Sequence, residues 1–502
     1  MVENFTATTE HEVVFTGRKV IYSDVEAITR DNLLDELREA VNAHMSNSAQ
    51  IQYLYDYYRG YQDIQSREKP VRPEINNKIT ENRANEIVTF KTGYLMGEPV
   101  QYVASDDDEA KGSDIATLNR FMFAGDKQSK DKELADWMHI CGTGFRYAGP
   151  DQVGREDDEA PFEFYTLDPR NSFVVYRNDM KRTPLMGVTY TYDRKASCYY
   201  DVYTPRTYFR VQDCSIIQEE RANALGVIPI FEYPANMARL GAFEVVLPLL
   251  NALNDLDSNR MDDVEQTVQS LLLFHNTDIS SEDYTALREQ GAIKFRDLDP
   301  QMKAEIKYIT TTLDQANTQN IKEDLYSSIL TICGMPNRNG GSSTSDTGSA
   351  VIMRDGWSDA EARARNVENM FKRSEKQFLK LVLALCRKSP ATAVNLELGD
   401  IDIRFTRRNY ENIQEKSQVL TTMLANPKIH PLLAFTHSGM FVDPELAYKM
   451  SEKYAEEQRA KAEETLQPAE EQDAETDTDN GSDDSQNTGD PGERQYGGDK
   501  TA

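Results

Sequence analysis

The chain has 502 residues, of which 39% are hydrophobic and 28% charged, so it holds enough apolar material for several domains. Its 84 acidic residues outnumber 56 basic ones, and the net charge of −28 is opposite to that of a general nucleic-acid binder, which neutralises phosphates with Lys and Arg. No apolar run approaches the roughly 18 residues of a membrane span, and no secretory signal opens the chain, so we expect a cytosolic product that contacts no membrane.

Motifs of catalysis and metal binding are missing from the sequence. The five cysteines stand singly, which indicates neither a disulfide framework nor a zinc site. There is no P-loop, G-x-S-x-G or H-E-x-x-H motif, and the histidines do not fall at ligand spacing within a carboxylate cluster. We therefore expect no enzymatic activity and no cofactor.

The N-terminal part is predicted to be an arm followed by helices. Residues 1–44 comprise a polar arm and a first helix that begins near Asp31, and an aromatic cluster follows at Tyr53–Tyr58. A helix is predicted from Asn76 onward. It stops at Gly97-Glu98-Pro99, since proline cannot continue the hydrogen-bond ladder, and a strand follows at 100–103.

Residues 162–220 change to the alternating pattern of strands. The segments FEFYTL, SFVVYRN, LMGVTYTY and CYYDVYTPRTYFRV are rich in β-branched and aromatic residues and are separated by turn signals. We predict an antiparallel sheet here, preceded by a solvated acidic loop at 154–160.

Two long helices are predicted to bracket a small module. Apolar residues recur with a 3.6-residue period over 244–268, and a second long helix is predicted at 313–333. The module between them, 269–312, would contain strands at Leu271–Phe274, Ala292–Phe295 and Ile306–Thr310 and a helix at Ser280–Gln290. This order predicts a helical hairpin with a module at its tip.

The C-terminal part begins with a Gly/Ser-rich loop at 334–349. A helix of some forty residues, 350–388, would be about 58 Å long, too long to bury its apolar seam within its own chain, and Gly356 would kink it. A strand at 401–406 and a helical segment at 410–462 follow. Residues 463–502 carry 13 acidic and two basic side chains, which predicts a disordered tail. The fold class is therefore α+β, mainly helical.

Residues 76–102, NNKITENRANEIVTFKTGYLMGEPVQY, are similar to the helix-to-strand signature of phage portal proteins from tailed phages of Gram-positive bacteria. The aromatic segment YDYYRGYQDI precedes this signature, and the β-rich block, acidic helix, small module, second helix, Gly/Ser loop and very long helix follow in the family's order. The resemblance covers residues 45–462.

The resemblance implies a non-enzymatic subunit with four named regions. The wing would comprise 45–243 and the strand in 350–409, the stem 244–268 and 313–333, the clip 269–312, and the crown 410–462. Such subunits form a ring, usually a dodecamer, at one vertex of the capsid in the virion, after synthesis in the host cytoplasm. The implied partners are further copies of the chain, the terminase, a head-completion adaptor, the major capsid or scaffolding protein, and double-stranded DNA that passes through without sequence-specific binding.

The resemblance also assigns residues to two surfaces. The tunnel loop, which would face DNA, comprises Asn337, Arg338, Asn339, Gly340, Gly341, Ser342, Ser343, Thr344, Ser345, Asp346, Thr347 and Gly348. The clip interface would include Leu271, Leu273, Ile306 and Tyr308, whose strands offer edges for pairing with a partner.

The first stem helix carries a run of acids opposed only by Arg260. The acids are Asp255, Asp257, Asp262, Asp263 and Glu265. We expect them to line the channel, because a wall of Lys and Arg would hold DNA through counterion release. An ordinary solvated helix face and a metal cluster are the alternatives. The competing functional hypotheses are accordingly a metal-dependent nucleic-acid enzyme and another kind of capsid connector.

The long helix carries cations along one side, namely Lys372, Arg373, Lys376 and Lys380. Both pairing with an acidic neighbouring subunit and contact with phosphates fit this pattern.

Overall fold

A computed structural model describes residues 16–105, 109–151, 160–220, 226–268, 271–276, 280, 282, 285, 303, 305–309, 315–337, 356–388, 394–407, 413–441 and 444–465. The helices in these ranges are α1 (Leu33–Arg59), α2 (Arg83–Leu95), α3 (Glu109–Ala124), α4 (Lys127–Cys141), α5 (Leu247–Val268), α6 (Gln315–Cys333), α7 (Trp357–Lys388), α8 (Ile413–Leu424), α9 (Pro431–Ser438) and α10 (Pro444–Thr465). None of the helices in the described ranges is both long and apolar enough to cross a membrane.

The strands in the described ranges form four sheets. They are β1 (Ile21–Ser23), β2 (Gln101–Ala104), β3 (Thr143–Pro150), β4 (Phe162–Leu167), β5 (Ser172–Arg177), β6 (Pro184–Tyr192), β7 (Cys198–Tyr203), β8 (Tyr208–Gln212), β9 (Ser215–Glu220), β10 (Ile230–Pro234), β11 (Leu271–His275), β12 (Glu305–Ile309) and β13 (Ile401–Arg404). The largest sheet has the order β1-β5-β6-β7-β8-β9, and a second has the order β10-β3-β4. Two further pairs are β11-β12 and β13-β2.

All four segments predicted between residues 162 and 220 form strands, but they do not form one antiparallel sheet. β4 pairs with β3 in the three-stranded sheet, and β1 extends the larger sheet in parallel to β5. An alternating pattern shows which residues share a face of a strand and carries no information about the pairing partner. The prediction of a single antiparallel sheet is therefore wrong.

The N-terminal segment is more integrated than the predicted arm. From residue 16 it runs into β1, and the buried side chain of Arg18 forms an ion pair with buried Glu244 at 2.5 Å. The predicted boundary between residues 44 and 45 falls inside α1, which continues to Arg59. A short strand that adds to an existing sheet has little hydrophobic pattern of its own, so the sequence did not indicate it.

The long helix α7 has 32 residues in the described part of the chain and is about 48 Å long. Its seam is buried within the same chain, contrary to expectation: Phe371, Phe378 and Val382 are fully buried in a core shared with β3, β4 and β10. Gly356 does not kink this helix. It precedes α7 with a φ of 83°, in the left-handed region that glycine adopts without strain.

Other boundaries also differ from the predictions. Helix α2 begins at Arg83 rather than Asn76, because the side chain of Asn82 caps it by accepting a hydrogen bond from the Asn85 amide. The strand predicted at 100–103 is β2, which pairs with β13 from the far end of the chain. The C-terminal helical segment divides into α8, α9 and α10, the last of which continues to Thr465. The acidic loop, the predicted Ala292–Phe295 strand and residues 466–502 fall outside the described residues, apart from Ala160.

Candidate functional site

Helices α5 and α6 form the predicted hairpin. Asp257 accepts a hydrogen bond from Lys322 at 2.9 Å, and Arg260 donates one to Gln319 at 3.0 Å. From the first contact to the second, the residue on α5 lies three positions later in the chain and the residue on α6 three positions earlier, so the helices run antiparallel. Beyond the hairpin, β11 and β12 pair in antiparallel register, with Leu271 opposite Ile309, Leu272 opposite Tyr308 and Phe274 opposite Ile306.

The segment 77–81 lies along one face of α5 and is held by three buried side chains. The amides of Asn77, Ile79 and Glu81 donate to Asp262, Ser258 and Asn254, respectively, over 2.7, 3.0 and 2.8 Å. Four helical residues rise about 6 Å and two extended residues about 6.6 Å, so an acceptor at every fourth helix position meets every second amide of the segment. We call this set of contacts the stem ladder.

Asp262 is committed to the stem ladder and does not face a channel. Its side chain is 1% exposed, and it forms ion pairs with Lys69 and Arg67. Burial alone would raise the pKa of its carboxyl, but the hydrogen bonds from Lys69 and Asn77 outweigh it and hold the pKa below its ordinary value. The expectation that Asp262 lines the channel is therefore wrong, and so is the expectation that Arg260 alone opposes the acids.

Asp257 also has a structural role, which it shares with Glu81. Lys322 donates to Asp257 at 2.9 Å and forms an ion pair with Glu81 at 3.0 Å. Burial, followed by the hydrogen bond with Glu81, raises the pKa of Asp257. The pKa of Glu81 is lowered although burial opposes this, because its hydrogen bonding with Asp257 and Lys322 and the charge of Arg83 favour its charged form. One lysine therefore joins α5, α6 and the segment before α2.

The remaining acids of α5 are more accessible. Asp255 and Asp263 are exposed and Glu265 is half-buried, next to the exposed apolar side chains of Met261 and Val264. Among the described residues, no group of three or more His, Cys, Asp or Glu side chains could hold a metal ion. Because Asp257 and Asp262 are bound to cations of the same chain, the acidic run does not have the geometry of a two-metal nuclease site.

The connection from α6 towards α7 begins with a left-handed glycine. Gly334 has a φ of 63°, and a β-carbon there would lie 2.2 Å from the side chain of Arg363. Arg363 donates to the carbonyl of Ile332 at 2.5 Å and so ties the start of α7 to the end of α6. Of the predicted tunnel loop, only Asn337 is among the described residues, and residues 338–348 lie outside them. The side chains of Leu271, Leu273, Ile306 and Tyr308 are likewise not described.

A buried network of charges fixes α7 to the body, and the sequence did not identify it. Glu375 is fully buried, forms an ion pair with Lys127 at 3.0 Å, and accepts hydrogen bonds from Arg146 at 3.3 Å and from the hydroxyls of Tyr102 and Tyr233, each at 2.6 Å. Asp131 forms ion pairs with both cations, so the network has no net charge.

The network holds Glu375 in its charged form. Although burial opposes ionisation, the charges of Lys127 and Arg146 lower the pKa of Glu375 to about 2. One feature of the sequence could have indicated this network: Glu375 is a charged residue at a position of the apolar seam of α7. Such residues are seldom buried without a partner.

Comparison with known proteins identifies the family. A family model described as phage portal protein, SPP1 Gp6-like, matches residues 38–464. The match includes the hairpin, the stem ladder and all of α7. No curated protein matches the chain.

Proposed function

The chain belongs to this portal protein family, and from that premise we propose that it forms a ring at one capsid vertex through which double-stranded DNA is packaged and ejected. The family is structural and non-enzymatic, and it implies self-association and a place in the virion capsid. The observation that carries the proposal is the match over residues 38–464, nearly the whole chain.

We assign the regions of the subunit as follows. The stem is the α5–α6 hairpin, the clip is the segment between these helices, and the crown is α8–α10. The wing includes α7 and β13, and we extend it back to residue 16 because Arg18 and β1 pack into it. Because the stem ladder joins segment 77–81 to α5, we expect this segment and the stem to move as one unit.

The proposed ring has twelve subunits. Its clip would bind the terminase and later a head-completion adaptor, and its wing would contact the major capsid or scaffolding protein. Residues 337–348 would be the tunnel loop. Its one base, Arg338, and one acid, Asp346, cancel, so contact with DNA there would be weak and independent of sequence.

Electron microscopy of the purified full-length chain tests this function. We expect rings with an open axial hole, and mass measurement on the same sample gives the number of subunits. A compact monomer that cleaves DNA in the presence of Mg²⁺ would contradict the proposal and favour the enzyme hypothesis instead.

A further inference from the structure

The outward face of the second half of α7 is a row of cations. Arg373, Lys376, Lys380 and Arg387 are exposed and lie at helix positions i, i+3, i+7 and i+14, which fall on one face. We call these four residues the basic stripe. It extends over about 21 Å, the length of about six base pairs of duplex.

The acids of α7 do not neutralise the basic stripe, because all four are bound elsewhere. Asp359 pairs with Arg363, Glu361 with Arg365 and Arg407, Glu368 with Lys372 and Arg407, and Glu375 with the buried network. Lys372, which the sequence grouped with the stripe, is thereby excluded from it. Within the described residues no stripe cation lies in an ion pair, so four like charges stand together on a chain with a net charge of −28.

The composition of this face distinguishes between two kinds of partner. Its other exposed residues are polar or small, including Asn366, Asn369 and Gln377, and none of the large apolar side chains in the described part of α7 is among the exposed ones. The centres of protein interfaces are more apolar than the rest of the surface, and lysine is depleted there although arginine is enriched. Phosphate contacts, in contrast, are made by Lys, Arg, Asn and Gln.

Exposed apolar side chains occur on other elements. Met261 and Val264 lie on α5, and Leu446, Met450 and Tyr454 lie on one face of α10. Those faces carry the exposed apolar side chains that contacts between subunits use, whereas the face with the basic stripe carries none in the described part of α7.

We propose that the basic stripe binds the phosphate backbone of double-stranded DNA without reading its sequence. This site is distinct from the proposed channel, whose wall is acidic, and it would hold duplex DNA against the subunit rather than let it pass. Arg387 lies in the last turn of α7, where a cation also complements the helix dipole, so Arg373, Lys376 and Lys380 carry most of the argument.

The test is the salt dependence of binding between the full-length protein and a fluorescent 30-base-pair duplex of mixed sequence. The variant Arg373→Gln/Lys376→Gln/Lys380→Gln is compared with the control Lys181→Gln/Arg194→Gln/Lys195→Gln, which removes three exposed cations from turns of the large sheet. If each stripe cation meets one phosphate, the slope of log K against log salt should become shallower by about 2.7 in the stripe variant and by much less in the control.

Three results would overturn the proposal. The first is no duplex binding by the parent protein at 50 mM salt, and the second is an equal change of slope in stripe variant and control. The third is a stripe variant that keeps its thermal stability and its salt slope but loses the assembled state of the parent, which would assign the stripe to a neighbouring subunit. Because the parent's assembled state is measured independently, failure of the stripe does not count against the ring.

Discussion

Asp262 illustrates how neighbours set the role of a single acidic residue. It accepts from the Asn77 amide at 2.7 Å and forms ion pairs with Lys69 and Arg67, whereas Asp263, the next residue, is exposed. The sequence alone does not show which of the two aspartates is buried, because both belong to one acidic run and the partners of Asp262 lie about 190 residues away in the chain. Helical periodicity places them on different faces without indicating which face is covered.

We predict that Asp262→Asn destabilises the protein and that Asp255→Asn, at an exposed position of the same acidic run, changes its stability little. The substitution weakens a charged acceptor that serves three groups, and loss of such hydrogen bonds costs about 1.5–3 kcal/mol. Because the folded pKa of Asp262 is depressed, its contribution is present above the ordinary pKa of 3.8 and is lost as the pH falls through the lower folded value. Chemical denaturation at pH 7 measures the difference, and equal midpoints for the two variants would contradict the stem ladder.

A second residue-scale prediction concerns acid sensitivity. Burial lowers the pKa of His44 to about 4, although its hydrogen bond with the Arg170 carbonyl opposes the shift. Between pH 6.5 and 4 the unfolded chain binds a proton at His44 and the folded chain does not. The free energy of unfolding therefore decreases as the pH is lowered, by up to about 1.4 kcal/mol for each pH unit. His44→Gln should reduce this fall. Chemical denaturation of the parent and the variant from pH 7 to 4.5 measures the difference, and an equal fall in both would contradict the prediction.

At the scale of elements, the sequence predicted those with a repeating pattern and missed those defined by distant partners. The hairpin, the strands between 162 and 220 and the long helix follow from periods of 3.6 and 2. β1, with three residues, is too short to show a period, and its place depends on β5. The stem ladder was hidden for a similar reason, since its three contacts are donated by the backbone amides of Asn77, Ile79 and Glu81, which any sequence supplies.

The long helix gives a prediction about folding rather than assembly. Because the seam of α7 is buried in its own chain, Phe371→Ala should cost about 3–5 kcal/mol through lost burial and the cavity left behind. Gln377→Ala, on the exposed face of the same helix, should change stability little. A Phe371 variant with an unchanged melting temperature but fewer rings would restore the idea that this seam packs against a neighbouring subunit.

The β11–β12 pair supports a prediction about the clip. In the part of this module that the structure describes the sheet has two strands, so each strand keeps one outer edge unless another element or chain covers it. Proline at Ile306 removes one backbone amide, and proline at Lys307 removes the amide that points the other way. We expect one of these variants to disorder the pair and the other to leave it intact but abolish binding of the adaptor or terminase. Undiminished binding by both variants would exclude strand pairing as the docking mode.

At the scale of the whole molecule, how the subunit interacts with DNA depends more on where its charges lie than on its net charge. Buried carboxylates such as Glu375 and Asp262 are neutralised by cations of the same chain and have no effect at a distance. In the proposed ring, what a passing duplex would meet is set by the accessible and half-buried acids of α5, repeated in each subunit. The proposed channel therefore depends on Asp255, Asp263 and Glu265 and not on the full run of five.

We predict that replacing these three acids with lysine impairs DNA translocation without impairing assembly. Each subunit would lose three negative charges and gain three positive ones on the stem, a change of six in net charge, and a ring would then retain the duplex through counterion release instead of letting it slide. Packaging by the ring with its terminase should slow, and it should recover as salt is raised from 50 to 200 mM, because mobile ions screen exposed charges.

The control for this experiment carries the same change of charge on the wing, at exposed Glu39, Glu68 and Glu133. If net charge alone governed packaging, both variants would slow equally. If the stem acids form the wall of the conduit, only the stem variant should slow and only that variant should recover with salt. Normal packaging by a stem variant that still forms rings would show that these carboxylates do not face the DNA path, and the channel wall would then have to be assigned to other residues.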